Sequence, residues 1–219
     1  ANPLRAVSLE AVVQKSLAGA TMTLPIPAPA GFSYPGTAAM RAEVETAFQS
    51  TVEPLLSSAD ATFNSIDYFQ NNLPGGTASY FNNYTPANGA VYPDTSQGFD
   101  IGDTMTDAAA VHKGGLDTEI LTIDFGGWDD HANLEPKVLP PPGGQNFANR
   151  IQHLADALEA FYVDLGSLRG CVTVLVHSEF GRRMDENASL GVDHGYGNMA
   201  LVMGENVKGG VYRAGVTDL

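Results

Sequence analysis

The chain reads as an α/β protein, a mostly parallel sheet sandwiched by helices, and three observations predict this. Short apolar runs at 119–124, 172–176 and 199–203 have the length and β-branched content of buried strands. An amphipathic pattern at 146–165 lies between the first two, and strand–helix–strand order implies a right-handed crossover joining parallel strands. Two of the strands also run directly into glycine-punctuated turns rich in Asp, Glu and His, as α/β sheets do where their carboxyl ends carry chemistry.

Taken in order, residues 3–9 read as a strand that begins mid-structure. From Leu17 to Pro35 the alternation of Pro25, Pro27 and Pro29 excludes a helix interior and favours an extended connection. Apolar residues at three- and four-residue steps (Val44, Ala47, Phe48, Val52, Leu55, Leu56) predict helix over 38–71, broken at Pro54, which lacks the amide donor. The Asn-, Gly-, Pro- and Tyr-rich stretch 71–98 reads as a long irregular loop or a cap. A short helix over 99–113 then stops at Gly114-Gly115. In the helix at 146–165, Ile151, Leu154, Ala155, Leu158, Phe161, Tyr162 and Leu165 mark one face, read as core.

With 219 residues, one well-buried core is accommodated and two domains would be cramped, so 1–219 is read as a single domain. Both ends look cut, and the expectation is a partial chain. The formal net charge of −14 repels nucleic acid and anionic membrane surfaces, which argues against both as partners. No apolar run is long enough to span a membrane, and no basic-then-apolar leader opens the chain. Cys171, the one cysteine, begins an apolar run and is expected to be buried packing rather than a redox group.

The polar turns carry the chemistry. Divalent metals need oxygen or nitrogen ligands converging from different elements. Asp129 and His131 follow the strand at 119–124, with Asp124 and Asp130 as nearby alternatives; Glu179 follows the strand at 172–176, and Asp193 and His194 come from the next loop. Parallel neighbouring strands would bring these turns to one sheet edge. Mixed imidazole and carboxylate donors suit zinc or manganese, while calcium, the third candidate, wants more oxygens. Each turn also has a plainer reading as a cap, with Asp accepting backbone amides.

Three ordered motifs, Gly126-Gly-Trp-Asp129-Asp-His131-Ala-Asn133, Ser178-Glu-Phe-Gly-Arg-Arg183 and Asp193-His-Gly-Tyr-Gly-Asn198, resemble the hallmark turns of the DUF1501 family. Leu158–Leu165 and Lys208-Gly-Gly210 fit the same family, and the similarity is dense from about Tyr92 to Tyr212. Those bacterial, mostly exported proteins are grouped by fold with the alkaline phosphatase and sulfatase superfamily. The resemblance therefore implies an alkaline-phosphatase-like fold and a periplasmic or secreted location. It further implies a metal held by Asp129, His131 and His194, with Glu179 left from a second metal position where Phe180 replaces the expected histidine. The superfamily takes its nucleophile from a turn after the first strand of the sheet, and no such turn is found in these residues. The rest of its own polypeptide is accordingly expected to be needed to complete the site.

Two functions follow. The first is a metal-dependent hydrolase of phosphate or sulfate esters, acting on an anionic small molecule or polymer, with the Arg182 guanidinium against the anionic oxygens. The alternative is a non-catalytic exported binding or assembly protein that keeps the fold.

Overall fold

The computed structural model describes residues 4–20, 23–95, 98–134 and 147–213. The architecture is mixed α/β, with contacts dividing the chain into two compact units, Ala1–Pro86 with Thr104–Phe125, and Ala87–Asp103 with Gly126–Leu219.

In the first unit, β1 (Ala6–Ser8) is the centre of a three-stranded parallel sheet, between β2 (Thr23–Pro25) and β3 (Ile120–Thr122). Val7 faces Leu24 on one side and Leu121 on the other. All three β1 residues are buried, as expected of a central strand in a parallel sheet. Parallel neighbours need long crossovers, and the chain between β1 and β3 supplies one through α1 (Ala38–Gln49), α2 (Leu55–Asn72), α3 (Thr77–Asn82) and α4 (Ile101–Lys113). Thr37 caps α1, its hydroxyl accepting the Met40 amide at 3.2 Å. The Arg41 guanidinium, held firmly protonated by Asp67 and Glu45, joins α1 to α2 through paired bonds of 2.6 and 2.8 Å to Asp67. Gly115, at a φ of +69°, ends α4 in the left-handed turn that glycine adopts without strain.

Two expectations change here. The proline-rich connection contains β2, tolerated because an edge strand can spare Pro25's missing donor. The stretch 71–98 is not one irregular loop. Thr77 and Phe81, one helical turn apart, are both buried, and that burial forms α3 despite a composition that resembles a turn.

The second unit is built on α5 (Phe147–Leu165), which is followed by a 3-10 segment, Gly166–Cys171. Its ribbon pairs β4 (Val174–His177) antiparallel with β7 (Ala200–Met203), and β5 (Gly181–Arg182) pairs antiparallel with β6 (His194–Gly195). The expected parallel pairing of the strands at 119–124 and 172–176 is not found: β3 pairs with β1, and β4 with β7. Residues 178–199 return the chain from β4 without a crossover helix, and such a connection favours antiparallel pairing. On α5, Leu158, Phe161 and Leu165 are buried as expected, whereas Ile151 is 45% exposed and Ala155 is exposed. Arg150, His153 and Asp164 take the buried positions instead, because each has a partner. The fully buried Asp164 carboxylate accepts the Ala87 amide at 2.6 Å and the Tyr92 hydroxyl at 3.0 Å. Cys171 is exposed, since the 3-10 segment ends on it before β4 begins. No helix among the described residues is long and apolar enough to cross a membrane.

Candidate metal centre

Three segments of the second unit are laced together by main-chain bonds. Val192 donates to Asp130 O at 3.2 Å, Asn133 to Ser189 O at 3.0 Å, and Leu134 to Leu190 O at 2.8 Å. The β5–β6 pair sets Arg182 opposite His194, and the Arg183 amide reaches Asp193 O at 2.9 Å. Gly191 sits directly on the backbone of His131 and Ala132, where no side chain would fit.

This lacing brings Asp129, His131 and His194 together, with one ligand-type atom from each, all within 4.8 Å of one another. Asp129 Oδ1 is the hub: it lies 2.7 Å from His194 Nε2, 3.0 Å from His131 Nε2 and 3.0 Å from Arg182 Nη2. The hydrogen bond from His194, with the charges of His131 and Arg182, holds the Asp129 carboxyl below the usual carboxylate range. His131 Nδ1 faces Asp193 Oδ1 at 3.0 Å, and bonds from His131 and Asn187 hold the Asp193 carboxyl low as well. The Asp129, His131 and His194 side chains are 55%, 48% and 52% exposed, so the group opens to solvent.

The remaining residues singled out by sequence are not among the converging three. Glu179 is exposed on the turn before β5 and is not one of the converging three. Asp130 pairs with Arg150 at 3.1 Å. In the first unit, the Asp124 amide donates to the Glu10 carboxylate at 3.1 Å. Arg182 binds within the protein: Nη2 donates to Trp128 O at 2.6 Å and to Asp129, and Nη1 donates to Val192 O. Its guanidinium thereby ties the 126–131 loop to the 192–194 segment.

Sequence reasoning missed Asn187 and gave Phe180 no role beyond that of a lost ligand. The Phe180 ring stacks on His194 with centroids 4.6 Å apart and planes at 14°, and the Arg182 guanidinium lies 4.8 Å from the same ring. Asn187 organises the 187–193 loop, its Oδ1 accepting the Ser189 and Gly191 amides at 2.9 and 3.1 Å. An Asn two residues before a turn amide and four before a glycine was the available signal.

Both depressed carboxyls give the same pH dependence. A folded-state value below the unfolded one means that the stabilisation is complete above the unfolded value, about pH 4. It is lost as pH falls through the folded values. Stability is therefore expected to drop on acidification below about pH 4, and Asp129→Asn is expected to flatten that drop. Trp128, the single tryptophan and the neighbour of Asp129, reports it by fluorescence in urea titrations at stepped pH. An equal slope in the variant would remove Asp129 from the account.

A family model described as "Protein of unknown function (DUF1501)" matches residues 106–218, just over half of the chain. No curated protein and no solved structure matches it.

Proposed function

The chain belongs to the DUF1501 family, and we propose that it is a metal-dependent hydrolase of phosphate or sulfate esters with an alkaline-phosphatase-like fold. Asp129, His131 and His194 are its metal ligands. The observation that carries this reading is the convergence of two imidazoles and a carboxylate on a single point, all open to solvent.

The donor set suits the ion. Two imidazoles and one carboxylate are a common three-ligand set for catalytic zinc and also serve manganese, while calcium finds too few oxygens. His131 has its Nδ1 against Asp193, which leaves Nε2 toward the other two donors. When bound, a divalent ion supplies Lewis-acid polarisation of the ester's phosphoryl or sulfuryl oxygen. The protein's own groups bind and orient. Asp129 and the two imidazoles fix the ion's place, and Arg182 keeps their two loops in register while adding positive charge beside an incoming anion. The Phe180 ring covers one side of His194 and keeps water from that face. A periplasmic or secreted location belongs to the same reading.

One observation favours the non-catalytic alternative: Phe180 stands flat against a ligand imidazole, and a phenyl ring offers a metal nothing. Calorimetric titration with Zn²⁺ or Mn²⁺ of the chelator-treated protein, carrying the remainder of its polypeptide that this reading calls for, is expected to show one ion per chain. His131→Ala and His194→Ala should each weaken binding by more than about 100-fold, beyond the effect of outer partners, and abolish turnover of aryl phosphate or aryl sulfate esters. Binding without turnover would favour the binding or assembly protein. Absence of binding, with ester turnover indifferent to both variants, would sink the metal reading.

A further inference from the structure

The two imidazoles of the site are oriented by different means. His194 lies against the Phe180 ring, whereas His131 is gripped through its second nitrogen by a carboxylate. That carboxylate is itself tightly placed. Asn187 Nδ2 donates to Asp193 Oδ1 at 3.0 Å and to His131 O at 2.9 Å, while its Oδ1 takes the two loop amides. Every donor and acceptor function of the Asn187 amide is thereby used, and each bond ties Asp193 to His131 or closes the loop between them.

We infer that Asp193, held by Asn187, is the positioning residue of His131: it keeps the hydrogen on Nδ1 and aims Nε2 at the metal. An ionised carboxylate can only accept, so Nδ1 must carry a hydrogen wherever this contact persists. In the neutral ring Nε2 is then the lone-pair nitrogen, the form that ligates. Free imidazole side chains have no such fixed tautomer, and a ring free to rotate gives up its alignment each time it turns. The Asp193 carboxylate removes both freedoms. It is not itself one of the three converging residues, so it acts through His131 rather than on the ion. The Val192–Asp130 and Arg183–Asp193 main-chain bonds fix the backbone on both sides of it.

The inference rests on the metal reading, and cobalt separates the two. Co²⁺ titrated into metal-free protein is expected to give one hyperfine-shifted, slowly exchanging proton signal, from the His131 Nδ1–H that Asp193 accepts. In Asp193→Ala this signal should vanish into solvent exchange. The visible absorption band of Co²⁺ should keep its shape, and affinity should fall by about 10- to 100-fold. Asp193→Asn, which retains an acceptor oxygen at the same place, should recover part of the affinity and the missing signal. Asn187→Ala should fall between the native protein and Asp193→Ala. A persisting signal and a Kd within about twofold of native in Asp193→Ala would overturn the assignment, as an ordinary surface carboxylate would behave so. A changed Co²⁺ band in either Asp193 variant would overturn it too, by making Asp193 a ligand. Failure of the native chain to take up Co²⁺ removes the metal reading, and this inference with it.

Discussion

Gly191→Ala is expected to destabilise the second unit by about 3 kcal/mol, at the upper end of overpacking costs, and to scatter the Asp129, His131 and His194 side chains. A Cβ at this position falls inside the van der Waals shells of His131 C, His131 O and Ala132 N, which are all main-chain atoms. A crowded side chain can change rotamer, but a peptide unit held by neighbouring hydrogen bonds cannot. The loop would have to lift away, and with it would go the Gly191 and Ser189 amide bonds to Asn187, the Val192–Asp130 bond and the grip of Asp193 on His131. Gly126 is the control. A Cβ there meets nothing, so Gly126→Ala is expected within about 0.5 kcal/mol of native. Urea midpoints from Trp128 fluorescence compare the two, and equal midpoints would show that the 187–193 loop does not rest on the 131–132 backbone.

Arg150→Met is expected to cost about 3 kcal/mol, the lower end for removing one partner of a buried ion pair. The Arg150 side chain is 7% exposed and its partner Asp130 only 23%, so little water can replace the lost charge. The guanidinium also lies between Trp128 and Phe99, 5.5 and 5.7 Å from their ring centroids, and under Gly127. Methionine fills most of that volume but leaves the Asp130 carboxylate unpaired next to Asp129. Much of the loss therefore comes from the stranded charge. Arg150→Met with Asp130→Asn should then be more stable than Arg150→Met alone, and a double-mutant cycle in urea measures the difference. Strictly additive single losses would mean that Arg150 contributes through packing alone.

The candidate site was legible in the sequence because ligand-type residues stood together beside apolar strands, at Asp129-Asp-His131 and Asp193-His194. Which carboxylates joined was less legible. Glu179 and Asp193 have equivalent credentials in the sequence, and the loop that Asn187 folds decides between them. In the fold, α5 followed from helical periodicity, the end of α4 from Gly114-Gly115, and the break at Pro54 from the missing amide. The buried face of α5 did not follow from apolar pattern, because Arg150, His153 and Asp164 are buried with partners distant in sequence. Strand partners were misassigned for a related reason: hydrophobic runs locate β3 and β4 without encoding which edge each of them meets.

The open position of Cys171 has a chemical consequence. A buried thiol is inert filler, whereas one facing water is within reach of whatever electrophile the medium holds. With no second cysteine in the sequence, its sulfur cannot close a bridge within the chain. Any disulfide it forms joins it to a thiol outside these 219 residues. The residue that pattern alone assigns to the interior is thus a single covalent handle, at a known point just ahead of β4.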